Sequence, residues 1–162
     1  MAIGRIEKIK NYQLLIDLFN KYSELLTSYK LLIIGTGSEL SALKQKVDFF
    51  KLKNIDFLGC QTSDEIENYL DKAKGVLIPS HNESFGLVCL ESLLAGVPVF
   101  AAATGVMPSL IKQGYGEVVD INNIKEVEEK FKKFIENIDS YSVDNKELSQ
   151  RFSVEAMVNK YE

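Results

Sequence analysis

The chain has 162 residues, 46% of them hydrophobic and 26% charged, the balance of one soluble globular domain. At that length it can bury roughly 70% of the surface its unfolded chain exposes. A net charge of −4 with no basic patch gives no reason to expect nucleic acid as a partner, so any anion must be held locally, by a few cations or a helix N-terminus.

The chain starts abruptly. Met1-Ala2 leads straight into Ile3-Gly4-Arg5, which reads as the end of a strand, so the sequence is expected to be a piece of a longer protein. Residues 11–26 carry Leu14, Leu15, Leu18, Phe19, Tyr22, Leu25 and Leu26 at helical spacing. Leu31–Ile34 is a buried-strand run stopped by Gly35-Thr36-Gly37. Residues 39–50 repeat the helical pattern through Leu40, Leu43, Val47 and Phe50, and residues 55–58 form the next strand, closed by Gly59. Ser63 is expected to cap a helix with Asp64 and Glu65 in its first turn.

Val76–Ile78 is a strand stopped by Pro79. Residues 88–95 form a helix ended by Gly96, and Pro98 sits at the start of a strand over 97–101. A short helix is expected over 108–112, a last strand over 117–119, and a long charged helix over 123–138 with Val127, Phe131, Phe134, Ile135 and Ile138 facing inward. Residues 139–145 are polar and read as a loose joint before a terminal amphipathic helix over 152–161. Strand and helix alternate about five times. Strands apolar on both faces and joined by helices imply a Rossmann-like three-layer α/β sandwich around a parallel sheet of about six strands.

Cys60 and Cys89 lie in separate segments and His81 is the sole histidine, which gives neither a disulfide framework nor a zinc set. Free thiols in a reducing cytoplasm are the expectation. The apolar runs fall far short of a membrane span, and the N-terminus has no signal-peptide pattern.

In such a sheet a ligand binds beyond the carboxyl ends of the strands. Three loops lie there. Gly35-Thr36-Gly37 follows a strand, but Leu40 stands where the third glycine of a dinucleotide fingerprint would be, and a tight turn explains it as well. The loop from Pro79 carries Glu83, and Gly86 precedes the helix that bears Glu91. That helix's first amides are unpaired and suit a phosphate or a sugar oxygen. Both carboxylates are expected to face one crevice, where each can accept two bonds from a vicinal diol. An N-terminal charge and a solvated helix residue account for the spacing equally well. Arg5 and Lys10 bracket the loop after the first strand and together could hold a diphosphate, although a solvated basic loop is the commoner case.

These segments resemble one family: Gly4-Arg5 with Lys10-Asn11, then Gly35-Thr36-Gly37, Phe57-Leu58-Gly59, Pro79-Ser80, the block from Glu83 to Glu91, and Ala95-Gly96-Val97-Pro98-Val99. In this order they are similar to the C-terminal, donor-binding domain of GT4-type retaining glycosyltransferases (group 1), one half of a GT-B fold. Residues 151–162 resemble the family's closing helix. The resemblance implies that Arg5 and Lys10 hold the donor diphosphate and support its departure. It implies that Glu83 faces the donor sugar and Glu91 the ribose, that Ser84, Phe85, Gly86 and Leu87 meet the sugar and phosphates, and that Gly59 and Cys60 lie beside the base. Catalytic roles fall on Arg5, Lys10 and Glu83.

The resemblance further implies an NDP-sugar substrate (UDP- or GDP-sugar), no cofactor and no metal. Its partner is an absent N-terminal acceptor domain, through which any membrane contact would be made, at the inner face of a cytoplasmic location. Two departures stand out. Val106 and Ser109 replace residues that are often Gly and Glu, and His81 occupies a variable position before Glu83, not that of the family's site histidine. A non-catalytic nucleotide-binding or docking module on the same fold is the alternative, and a sugar-nucleotide epimerase a more distant one.

Overall fold

The computed structural model describes residues 1–151; the expected terminal helix over 152–161 lies outside them. Six short strands alternate with helices: β1 Ala2–Ile3, α1 Tyr12–Lys21, β2 Leu31–Ile34, α2 Leu40–Phe50, β3 Ile55–Gly59, α3 Ser63–Leu70, β4 Val76–Ile78, α4 Leu87–Leu94, β5 Val99–Ala102, α5 Met107–Leu110, β6 Gly116–Val119, α6 Ile124–Glu136 and α7 Asn145–Arg151.

The strands form two parallel three-stranded sheets, β1-β2-β3 and β4-β5-β6. They abut where the Leu77 amide donates to the Met1 carbonyl at 2.8 Å. Read across both, the order is 3-2-1-4-5-6. The chain builds outward from β1 to β3, returns beside β1, and builds outward again from β4. The place where direction reverses, between the carboxyl ends of β1 and β4, is the topological switch point of a doubly wound sheet.

Alternation along the strands feeds two apolar layers. Ala2, Leu31, Ile33, Ile55, Leu77, Phe100 and Val119 face one side and pack with buried residues of α1, α2 and α6. Ile34, Val76, Ile78, Val99 and Ala101 face the other and pack with α4, α5 and Leu148 of α7. The first layer is aromatic. The ring of Phe131 meets those of Phe100 (5.5 Å between centroids), Tyr22 (5.9 Å) and Phe19 (6.3 Å). Phe131→Ala should therefore lower the unfolding free energy by about 3–5 kcal/mol, the usual loss for a buried phenylalanine. Urea titration would measure it, and a loss below 1 kcal/mol would mean that the cluster is not the core.

Two local expectations change. Thr62, not Ser63, caps α3: its hydroxyl accepts from the Glu65 amide, and the Glu65 carboxylate accepts from the Thr62 amide at 2.8 Å, a capping box. Residues 139–145 are not a loose joint. A 3-10 turn, Ile138–Ser140, is followed by α7, whose first amides are capped by Asp144 (3.0 and 3.1 Å). Glu147 then pairs with Lys112 and accepts from the Tyr115 hydroxyl, pinning α7 to the β5–β6 connection.

Candidate functional site

The segment after β1 is fixed by its neighbours. Gly4 donates to the Ile34 carbonyl and Ile6 to that of Thr36, while Glu39 donates back to Ile6. The Glu7 carboxylate takes both the hydroxyl (2.6 Å) and the amide (3.2 Å) of Ser38. A 3-10 turn, Lys8–Lys10, then ends on Asn11, which takes the left-handed conformation (φ 54°) that asparagine tolerates better than most residues. The turn leaves Lys10 within reach of Glu83 in the loop after β4, and α1 begins at once.

From the other side, His81 donates its amide to Ile9 and Thr104 donates its hydroxyl to the Ser80 carbonyl. The loop carrying Glu83 is pressed against the segment after β5. A Cβ on Gly105 would lie 1.6 Å from the Glu83 carbonyl oxygen, so that approach needs glycine. Gly86 (φ 64°) turns the chain into α4 without any side-chain cap, which leaves the first amides of that helix without capping partners.

At the switch point these loops enclose a cavity of 280 Å³. Arg5, Lys10, Glu83, Phe85, Gly86 and Leu87 line it, and so do Tyr12 and Cys89. Lys10 Nζ meets Glu83 Oε2 at 2.6 Å, with the two side chains 22% and 20% exposed. Arg5 is exposed at the rim, and its side chain makes no hydrogen bond or ion pair among the described residues. Phe85 (80% exposed) and Leu87 (63%) stand at the mouth. Burial, and then the negative charge of Glu83, push the Cys89 thiol up to about 12, so it is a neutral wall and no nucleophile at neutral pH. The same two causes push the Tyr12 phenol up, which keeps it protonated.

Not all the residues singled out in the sequence meet here. Ser84 is exposed beside the cavity but does not line it. Glu91 does not share the crevice of Glu83. It lies four residues along α4 from Leu87, about 6 Å of helix rise away, and lines a groove against α3 with Ser63, Ile66 and Glu67. Gly59 and Cys60 sit at the end of β3, where Gly59 accepts from the Gly35 amide (2.7 Å) and Cys60 Sγ lies 3.4 Å from Thr36 Oγ1. His81 is exposed and borders a separate, smaller hollow. Tyr12 escaped the sequence reading; an aromatic hydroxyl directly after the Lys10-Asn11 break was the available signal.

The fold and the position of this cavity define a Rossmann-like α/β domain with a cation-bearing crevice at its switch point. Residues 1–153 match the family described as glycosyl transferases group 1, and the chain belongs to that family. It is 28% identical to an uncharacterized glycosyltransferase of Methanocaldococcus jannaschii, over 98% of this chain and 45% of that protein. It is 37% identical to the D-inositol 3-phosphate glycosyltransferase of Mycobacteroides abscessus, over 65% of this chain and 24% of that one. Among solved structures, Anabaena HepE in complex with UDP shares the fold: TM-score 0.84 at 23% identity, over 99% of this chain and 46% of that one. The chain thus spans about half the length, or less, of the relatives it matches. Among the described residues no helix is long and apolar enough to cross a membrane.

Proposed function

We propose that the chain is the donor-binding, C-terminal half of a GT4-type glycosyltransferase that moves a hexose from an NDP-sugar to an acceptor with retention, in polysaccharide or glycolipid synthesis. The observation that carries this reading is the pair of cations, Arg5 and Lys10, opposite the uncapped start of α4 at the switch point. The nucleotide complexes solved for Anabaena HepE, with UDP and with UDP-glucose, support the choice of ligand.

In this reading the diphosphate lies between Arg5, Lys10 and the first amides of α4, with Ser84 to Leu87 against it. The sugar is turned toward Glu83. The nucleoside passes the mouth of the cavity to place its ribose at Glu91, one helical turn away, and its base at Gly59 and Cys60. An extended ligand therefore joins residues that no single cavity brings together. When the bond from the anomeric carbon to the phosphate oxygen breaks, negative charge collects on the departing diphosphate. Arg5, Lys10 and the helix start neutralise it in place of a metal ion.

The acceptor is the business of a second domain, as is any contact with the inner face of the membrane from a cytoplasmic location. This chain alone is expected to bind donor and transfer nothing, because half a cleft neither excludes water nor positions an acceptor. Titration calorimetry with UDP, GDP and ADP provides the test. At least one should bind at sub-millimolar concentration; a folded chain that binds none at millimolar concentration contradicts the reading.

A further inference from the structure

Tyr12 opens α1 and is 4% exposed. Its hydroxyl makes no hydrogen bond among the described residues. Among the described residues no side-chain nitrogen or oxygen sealed from solvent lacks a partner, so this hydroxyl looks onto open space. The ring borders two hollows, the switch-point cavity and the smaller one beside His81. The oxygen belongs to the first. It lies 3.3 Å from where a Cβ on Gly4 would stand, and Gly4 lines the cavity and not the smaller hollow. The influence of Glu83, another cavity residue, on the phenol points the same way.

A phenol is a poor choice for a packed helix start. Phenylalanine would fill the same volume, so packing alone does not call for the hydroxyl, which opens onto the cavity that Arg5, Lys10 and Glu83 also line. A ligand in the cavity would find that hydroxyl free of protein partners among the described residues. The hydroxyl shares the β1–α1 wall with Arg5 and Lys10, where an anion's oxygens would lie, and as a protonated phenol it has a hydrogen to give.

We propose that Tyr12 is a ligand-binding residue of this site, donating a hydrogen bond to a phosphoryl oxygen of the bound nucleoside diphosphate, beside Lys10. The proposal rests on the donor-binding reading, and the experiment separates the two. Affinities of the wild-type chain and of Tyr12→Phe would be measured for pyrophosphate, UDP, UDP-glucose and uridine.

Removing one hydrogen bond to a charged group should weaken pyrophosphate and UDP by about tenfold. Uridine affinity and melting temperature should not fall, since the ring and its packing remain. If the wild type binds UDP and Tyr12→Phe binds UDP and pyrophosphate equally well, the proposal is overturned while the donor reading stands. It is also overturned if only UDP-glucose weakens, which would place the hydroxyl at the sugar, or if uridine weakens in step, which would make the effect structural. A wild-type chain that binds none of the four removes the donor reading, and the role of Tyr12 with it.

Discussion

Lys10→Ala should weaken UDP binding by about a hundredfold, whereas Arg5→Ala should weaken it by about tenfold, although each removes one positive charge. The asymmetry comes from Glu83. Lys10 and Glu83 hold each other at 2.6 Å, and both are largely withdrawn from solvent. Deleting Lys10 removes a charge-assisted bond to the diphosphate and also leaves a carboxylate without its partner on the wall where the anion must sit.

Arg5 is exposed at the rim, where water and salt screen it, and the nearby Glu7 carboxylate would keep its two bonds from Ser38 without it. The same argument fixes the double variant. Lys10→Ala combined with Glu83→Gln should recover roughly tenfold of the lost affinity, because neighbouring charges do not act additively. Calorimetry on the wild type, Lys10→Ala, Arg5→Ala, Glu83→Gln and the double variant, with melting temperatures as a folding control, gives the coupling directly. Equal losses for Lys10→Ala and Arg5→Ala, with no recovery in the double variant, would show that Glu83 does not contend with the ligand for Lys10.

The second large effect is on stability. Gly35→Ala should lower the unfolding free energy by about 4 kcal/mol and the melting temperature by about 10 °C. Gly35 has φ +135°, and a Cβ there would lie 2.0 Å from the Gly4 carbonyl oxygen, a backbone atom that cannot swing aside. The substitution therefore pushes the segment after β1 away from β2 and displaces Arg5 with it. Gly96 provides the control. It too has positive φ (+78°), but nothing lies within 4 Å of its would-be Cβ. Gly96→Ala should cost only conformational strain, about 1 kcal/mol. Thermal unfolding of both variants separates close approach from backbone conformation, and equal losses would mean that the contact with Gly4 is unimportant.

Gly35 also shows where the sequence was informative and where it was not. That a glycine turn ends β2 was plain from Leu31–Ile34 followed by Gly35-Thr36-Gly37, since an apolar run bounded by glycines has few other readings. What the glycines are for was not. Their lack of side chains lets the loop after β1 pack backbone to backbone: a Cβ on Gly37 would lie 2.3 Å from the Ile6 carbonyl oxygen. Packing between segments thirty residues apart leaves no periodicity to read.

Glu91 makes the same point at the site. Its spacing from Glu83 suggested one shared crevice, but Glu83 belongs to the loop and Glu91 stands a full turn into α4, so they border separate hollows. The helix α7 escaped notice because Leu148 is its one buried apolar residue; Asp144 and Glu147 hold it by polar contacts. By contrast α6 was legible, because Val127, Phe131, Phe134 and Ile135 keep one face of a long charged segment apolar. Tyr12 was hidden for a different reason. A tyrosine at a helix start looks like core, and only the unpartnered hydroxyl on the cavity wall sets it apart.

Backbone amide chemical shifts of the labelled chain, recorded while UDP is added, would test the donor-binding account most directly. The account predicts that the shifts move at Arg5, Lys10, Tyr12 and Ser84 to Cys89, with smaller changes reaching Gly59, Cys60 and Glu91, while α6 stays still. Shifts that instead gather around Lys130 and Lys133 of α6, or that move nowhere at millimolar UDP in a folded chain, would contradict it.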